Sequence, residues 1–132
     1  MVKTILSLVN CSKEYWEFVR QLRNDPKNLE GFINKSKITK QAQKKYMEKY
    51  HKSYKICLMN NQIPVGFVGS IDGDIRVCTD DKYKNKGIAK FMINNFIKNK
   101  KNLFAKIKIN NDLSVKLFES CGFKKKYFIY EK

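Results

Sequence analysis

Apolar residues change their spacing along the chain, and these changes predict alternating strands and helices. Lys3–Val9 alternates weakly between apolar and polar positions, which favours a first strand. From Tyr15 to Leu22 apolar residues recur at helical spacing, and Ser12 is placed to cap that helix. Thr39 can cap a second helix, so one strand followed by two helices is predicted for this part of the chain.

The middle of the chain predicts three strands in quick succession. Tyr54–Met59, Pro64–Ile71 and Asp74–Thr79 have the composition of short strands. The pairs Asn60-Asn61 and Asp72-Gly73 separate them, and both pairs are typical of tight turns. An antiparallel meander is therefore expected.

The last third predicts two further helices and two further strands. Ile88–Asn99 and Asn111–Ser120 have helical patterns, whereas Leu103–Ile109 alternates as a strand does and Phe123–Tyr130 suits a last strand. The predicted fold class is α/β in its α+β form, with one domain over residues 1–132. Its mixed, mostly antiparallel central sheet is flanked by about four helices, in the order β-α-α-β-β-β-α-β-α-β.

Positive charge dominates the composition, since 28 Lys and Arg residues stand against 12 Asp and Glu residues and give a formal net charge of +16. Such a charge attracts polyanions, so a nucleic-acid-binding module is an alternative. Its nearest candidate surface is Phe123–Tyr130 with Lys124–Lys126, but aromatic residues there also suit a buried strand, and nucleic acid is not the expected partner. No stretch is apolar enough to span a membrane. Four well-separated cysteines and a single histidine predict reduced thiols, no metal site and a cytoplasmic location.

Lys84–Ala89 lies between a predicted strand and a predicted helix and carries the first chemical signal. Gly87 lets the backbone approach a ligand closely, and the first turn of the following helix leaves N–H groups unpaired. These donors and the positive end of the helix dipole form an anion site, to which Lys84, Lys86 and Lys90 add charge. A pyrophosphate fits such a site. A plain strand-to-helix turn with a permissive glycine is the alternative.

Two segments carry a family resemblance. Lys84–Ala89 follows the pattern Arg/Gln-x-x-Gly-x-Gly/Ala with lysine in the first place, and Asn111–Phe123 follows Asn-x-x-Ala-x-x-Leu-Tyr-x-x-x-Gly-Phe, with Ser114 and Phe118 at two of its places. Together they resemble the GNAT superfamily of acetyltransferases. The resemblance implies a GNAT-like fold, acetyl-CoA as the cofactor and a small-molecule amine as the acceptor.

The resemblance also implies where acetyl-CoA binds. Backbone groups at the end of the fourth strand would pair with the pantetheine arm, and N–H groups of the segment after it would hold the pyrophosphate. The implied cofactor-binding residues are Val77, Cys78, Thr79, Lys84, Asn85, Lys86, Gly87, Ile88, Ala89, Lys90, Asn111 and Phe118. Phe118 stands where many members have a tyrosine that protonates the leaving thiolate, so the proton donor is left open.

An amine must lose a proton before or as it attacks a thioester, and a carboxylate commonly accepts that proton. Side chains alternate along the fourth strand, so Asp72, Asp74, Arg76 and Cys78 share one face. Asp74 is the predicted general base or amine-binding carboxylate, with Asp72 in reserve. Local hydrogen bonding in the turn around Gly73 is the alternative role for both. No His–carboxylate arrangement supports Cys78 as a nucleophile, so direct transfer is favoured over an acyl-enzyme.

The segment Arg20-x-x-Arg23-Asn24-Asp25-Pro26 resembles the N-terminal part of GNAT enzymes that acetylate amino sugars attached to nucleotides. A nucleotide-linked amino sugar is therefore the preferred acceptor, with Arg23, Arg76 and His51 as candidate substrate-binding residues. Solvated helix positions are the alternative for Arg23 and His51. A protein N-terminus, a polyamine and another small amine are the alternative acceptors. A relative that binds CoA without transferase activity is an alternative function. A homodimer is an open alternative for the oligomeric state.

Overall fold

A computed structural model describes residues 3–132, so residues 1 and 2 of the predicted domain lie outside the described part. Four strands form one antiparallel sheet in the order β1-β2-β3-β4, and five helices accompany it. The strands are β1 Leu6–Asn10, β2 Tyr54–Met59, β3 Ile63–Ile71 and β4 Asp74–Thr79; the helices are α1 Trp16–Asn24, α2 Pro26–Leu29, α3 Lys40–Tyr50, α4 Ile88–Phe96 and α5 Asp112–Ser120. The predicted fold class is confirmed. Among residues 3–132, none of the helices has the length and apolar character that a bilayer span requires.

Two tight turns produce the predicted meander. Asn60 and Asn61 have φ of 54° and 61°, and Asp72 and Gly73 have φ of 51° and 85°. Two consecutive residues with positive φ form the turns whose twist matches that of a hairpin, and Asn, Asp and Gly tolerate this conformation best. The turn at Gly73 pairs Ile71 with Asp74 and so sets the register of β4.

The sheet separates two apolar layers. One layer packs β2 and β3 against α1 and α3, and its buried side chains include Val19, Leu22 and Met47. The other layer packs the opposite face against α4, whose Ile88, Met92 and Phe96 are buried. The side chains of β4 divide between the layers as their alternation predicts, because Cys78 belongs to the first layer and Ile75 packs beside α4 and α5.

Two of the predicted helix caps are confirmed and one is wrong. The Thr39 hydroxyl accepts the Ala42 N–H at 3.1 Å, and Asn111 Oδ1 accepts the Ser114 N–H at 3.1 Å. Ser12 instead precedes a 3-10 turn and donates its hydroxyl to Glu14 Oε1. The α-helix therefore begins only at Trp16, after this turn.

The predicted strand Leu103–Ile109 forms only one bridge. Phe104 pairs in parallel with Asp74, which confirms the strand–helix–strand crossover through α4, and no further ladder pairs join this segment to β4 among the described residues. The alternation itself is retained, because Leu103, Ala105 and Ile107 pack on the cluster of Ile75, Ile93 and Phe118. The apolar alternation thus correctly predicted which face of the segment is buried. It did not determine whether a neighbouring strand would pair with the segment.

The predicted last strand Phe123–Tyr130 is wrong. Phe123 packs on the core, but the segment after it has no strand assignment, and Tyr127 and Tyr130 are 87% and 93% exposed. A strand requires a neighbouring backbone to receive its N–H and C=O groups, and no neighbour pairs with this segment within residues 3–132. β-Propensity alone does not supply that neighbour.

Candidate active site

A cleft of about 980 Å³ opens beside β4. The Phe104 N–H donates to Gly73 O at 2.8 Å and the Ile75 N–H donates to Phe104 O at 2.9 Å, so the two segments are joined at this point. Beyond the bridge, the chain from Ala105 to Ile107 and the chain from Arg76 to Thr79 both line the cleft, and no further ladder pair joins them in the described part of the chain. The edge of β4 is therefore available to another extended group.

The N-terminus of α4 forms one end of the cleft. Gly87 is its N-cap with φ of 75°, and no side chain caps the first turn. Ile88, Ala89 and Lys90 line the cleft together with Gly87. The first N–H groups of a helix have no partner within the helix, and a methyl group added at Gly87 would meet no atom within 4 Å. An anion can therefore approach these donors closely.

Val77, Cys78 and Thr79 form the wall of the cleft that leads away from α4. Thr79 is buried, and its hydroxyl has no hydrogen-bond partner among the described residues. Burial raises the pKa of the Cys78 thiol to about 12. Cys78 is therefore a neutral thiol near pH 7, and Thr79 offers an unused hydroxyl to a ligand in the cleft.

Helix α5 also lines the cleft. Asn111 caps the helix with its Oδ1 and also lines the cleft. Phe118 lies about two helical turns after Asn111; it lines the cleft and packs edge-on against Phe123, with ring centroids 5.2 Å apart. Phe118 is buried beside Ile75 and Ile93. Its ring thus closes the core beneath the cleft and has no proton to donate.

Asp74 stands where β4 and the following segment separate. Its Oδ2 lies 3.8 Å from Arg76 Nη2 and 3.9 Å from Lys106 Nζ, and its side chain is 19% exposed. A carboxylate placed between two long cationic side chains stays accessible to a small molecule, because both ion pairs are at the limit of contact distance. Asp74 can accept a proton or hold an ammonium group here.

Arg23, from the end of α1, extends into the cleft from the other layer. Its Cζ lies 4.4 Å from the centroid of the Phe32 ring, and both residues line the cleft. Its Nε is buried and has no hydrogen-bond partner among residues 3–132. An aromatic face beside a guanidinium holds its position and leaves its N–H groups, which lie in the guanidinium plane, free to bind a ligand.

Most of the predicted site residues meet in this one cleft. Of the predicted cofactor residues, eleven line it: Val77, Cys78, Thr79, Lys84, Asn85, Gly87, Ile88, Ala89, Lys90, Asn111 and Phe118. The predicted base Asp74 and the predicted substrate residues Arg23 and Arg76 line it as well.

Lys86, Asp72 and His51 do not line the cleft. Asp72 occupies the turn before β4 with φ of 51°, which corresponds to its alternative role as a turn residue. His51 follows α3, where its Nδ1 lies 2.9 Å from Met47 O and its ring lies 5.8 Å from that of Trp16. His51 thus lies at the end of α3, as in its alternative role, and not in the cleft.

Phe32 and Lys106 are site residues that the sequence analysis missed. Lys106 occupies the polar position between Ala105 and Ile107, so the alternation of this segment contained a signal for it. Phe32 lies in the irregular chain between α2 and α3, where no periodic pattern reveals a buried or cleft-facing side. Its role depends on Arg23, which only the tertiary structure places beside it.

The cleft carries an excess of positive charge. Six cationic side chains and two carboxylates line it: Arg23, Lys27, Arg76, Lys84, Lys90 and Lys106 with Glu30 and Asp74. Asp81 at the rim pairs with Lys27 at 3.2 Å and with Lys84 at 3.5 Å, and the bond from Lys27 lowers the pKa of Asp81. The remaining charge favours anionic ligands over cationic ones.

Comparisons with known proteins bear on both the sequence and the fold. The family described as "Acetyltransferase (GNAT) family" matches residues 16–123. A search of curated proteins finds no match. A spermidine N-acetyltransferase from Vibrio cholerae, solved in complex with CoA and spermine, superposes with a TM-score of 0.84 at 17% identity over 96% of this chain and 85% of that chain.

Two further solved structures share the architecture. A putative acetyltransferase from Salmonella typhimurium with its cofactor acetyl-CoA gives a TM-score of 0.73 at 16% identity, covering 90% of this chain and 79% of that chain. A ribosomal-protein-alanine N-acetyltransferase from Brucella melitensis gives a TM-score of 0.72 at 15% identity, covering 89% of this chain and 84% of that chain. At such identities, these likenesses show the fold.

Proposed function

The chain belongs to the GNAT family of acetyltransferases, and on this basis we propose that it transfers the acetyl group of acetyl-CoA directly to a primary amine held beside Asp74. The observation that supports this most strongly is the cleft itself. It joins an uncapped helix N-terminus, an open strand edge and a carboxylate within one continuous space. These are the features that an acyl donor with a pyrophosphate and an amide-containing arm would use.

The residues present fit acetyl-CoA. The N-terminal N–H groups of α4, with Lys84 and Lys90, would hold the pyrophosphate. The edge of β4 at Val77 and Thr79 would pair with the amide groups of the pantetheine arm, and the unpartnered Thr79 hydroxyl adds a donor there. When bound, acetyl-CoA supplies an acetyl group activated as a thioester.

Two side chains of the cleft, Asp74 and Phe118, bear on how protons would move during the transfer. Asp74 would accept the proton that the acceptor ammonium loses, which frees the nitrogen lone pair for the acetyl carbonyl carbon. The new bond would join that carbon to nitrogen as the bond to sulfur breaks, and the nitrogen would release its second proton to water. Phe118 donates no proton to the departing sulfur, and because a thiolate is a modest base, it can leave and take its proton from water.

For the acceptor, we propose the amino group of a nucleotide-linked amino sugar. The N-terminal resemblance around Arg20–Pro26 and the positive charge of the cleft support this choice. The solved neighbours suggest two alternatives, because one is a spermidine N-acetyltransferase and another is a ribosomal-protein-alanine N-acetyltransferase. A polyamine and a protein N-terminus are therefore the acceptors to test beside the amino sugar. The predicted cytoplasmic location stays a prediction.

Two measurements test this function. Calorimetric titration with acetyl-CoA should show binding to a single site, and a thiol-release assay should show acetyl-CoA cleavage that depends on an added amine. The assay uses UDP-linked amino sugars, spermidine and a peptide with a free N-terminal alanine. Absence of binding at millimolar acetyl-CoA would overturn the proposal. Binding without thiol release for any amine would instead indicate a CoA-binding relative that has lost transferase activity.

A further inference from the structure

The two arginines of the cleft lie on the α1 side of the sheet. Cys78, two residues beyond Arg76 on β4, packs in the same layer as α1, whereas Ile75 packs beside α4. Arg76 therefore lies on the α1 side of the sheet, where Arg23 also enters. Burial raises the pKa of Tyr54, and the positive charges of Arg76 and Arg23 oppose this shift.

Arg23 is arranged as a binding group. Its guanidinium rests on the Phe32 ring at 4.4 Å, and it forms no ion pair among residues 3–132. Its buried Nε has no partner in that part of the chain. A buried donor on a charged group costs free energy when it stays unpaired, and an acid group of a ligand removes that cost with charge-assisted hydrogen bonds.

Arg76 is only weakly engaged within the protein. Its one ion pair, with Asp74, measures 3.8 Å and is shared with Lys106 at 3.9 Å. One carboxylate thus faces two cations at long distance, and Arg23 lines the same cleft. Positive charge is in excess at the end of the cleft where the acceptor amine must reach Asp74.

We propose that Arg23 and Arg76 form an acid-group subsite that binds a carboxylate or phosphate of the acceptor while Asp74 receives its amino group. This inference rests on the proposed function and adds the class of substrate to it. The acceptor is an amine that carries an acid group on the same molecule. Purely cationic amines such as spermidine bind poorly, because their further ammonium groups meet Arg23, Arg76 and Lys106.

Matched pairs of acceptors test the subsite. The thiol-release assay compares glucosamine 6-phosphate with glucosamine, and alanine with alaninamide, at saturating acetyl-CoA and with rates corrected for the fraction of free amine. The acid-bearing member of at least one pair should have a kcat/KM higher by about tenfold or more, and spermidine should be a poor acceptor. The pair with the larger difference identifies the acid group as phosphate or carboxylate.

Arginine variants assign the effect to the subsite. Arg23→Gln should remove most of the preference, because it should raise KM for the acid-bearing acceptor by about tenfold and KM for the neutral acceptor much less. Arg20→Gln is the matched control, because Arg20 lies one turn earlier on α1, pairs with Glu17 at 2.6 Å and does not line the cleft. If Arg23→Gln does not fold, Arg76→Gln serves, since the Arg76 side chain is 37% exposed.

The outcomes separate this inference from the function on which it rests. Thiol release with neutral and acid-bearing acceptors at equal kcat/KM, or efficient use of spermidine, would overturn the subsite and leave the acetyltransferase intact. A loss in Arg23→Gln that is equal for both members of a pair would also overturn it. Absence of acetyl-CoA binding would overturn the proposed function itself.

Discussion

Asp74 and Phe104 form the one parallel bridge between β4 and the segment after α4 within the described chain. The bridge holds the two backbones together at Asp74, and beyond it both segments line the cleft. The backbone of Asp74 thus closes one end of the cleft while its carboxylate lies within it. The fold thus fixes the carboxylate of the proposed base at the end of the cleft beside this bridge.

Replacing Asp74 with Asn should abolish most of the transfer. The amide has nearly the same shape but accepts no proton at neutral pH, so kcat should fall by about two orders of magnitude or more. Acetyl-CoA affinity, measured by calorimetry, should not change. Asp72→Asn is the matched control, because Asp72 precedes β4 in the turn and does not line the cleft. Equal turnover in the two variants across the pH range would remove Asp74 as the base.

Alanine substitutions at two glycines of similar backbone conformation distinguish an effect on cofactor binding from an effect of backbone strain. Gly87 and Gly122 have φ of 75° and 91°, and an added methyl group meets nothing within 4 Å at either. Substitution by Ala should cost each variant about 1 kcal/mol of unfolding free energy. Only Gly87→Ala should weaken acetyl-CoA binding, by roughly tenfold, because only Gly87 lines the cleft. An equal loss of affinity in Gly122→Ala would show that the effect is not local.

Asn111 should combine a structural role with a binding role. Asn111→Ala removes the cap of α5 and should lower the unfolding free energy by about 1 kcal/mol, as Thr39→Ala should do at α3. Asn111→Asp keeps an oxygen acceptor for the Ser114 N–H and should retain stability. It places a negative charge in the cleft, so acetyl-CoA affinity should fall. Unchanged affinity in Asn111→Asp would contradict its place beside the cofactor.

Cys78 should be dispensable for the chemistry. Because burial raises its pKa to about 12, the thiol is protonated near pH 7 and is a poor nucleophile. Cys78→Ala should keep kcat within about threefold, and intact-mass spectrometry of the enzyme with acetyl-CoA alone should show no acetylated protein. A stable acetyl adduct that disappears in Cys78→Ala would contradict direct transfer.

The buried thiols should make the protein sensitive to alkali. Burial raises the pKa of Cys57 from 9.0 to about 11. Between these values the unfolded thiol loses its proton and the folded thiol keeps it, so ionisation favours the unfolded state and stability falls as pH rises. Urea unfolding should therefore show the stability difference between the wild type and Cys57→Ala shrinking from pH 9 to pH 11. A stability difference that stays constant from pH 9 to pH 11 would contradict the raised pKa of Cys57.

The sequence by itself determined the elements whose cause is local. Asn60-Asn61 and Asp72-Gly73 specified the turns of the meander through their tolerance of positive φ. Thr39 and Asn111 specified two helix starts through their side-chain acceptors. The unpaired N–H groups at the start of α4 were also predictable, because the first turn of a helix leaves the same donors free in any fold.

Only the tertiary structure decided what depends on residues distant in the chain. Alternation identified the buried face of Leu103–Ile109, but the single bridge at Phe104 and the cleft beyond it depend on where α4 returns the chain to β4. Phe123–Tyr130 has the composition of a strand, yet no described neighbour pairs with it. The same reason applies to Arg23: its helix was predictable, whereas its contact with Phe32 and its place beside Arg76 exist only once the layers have packed.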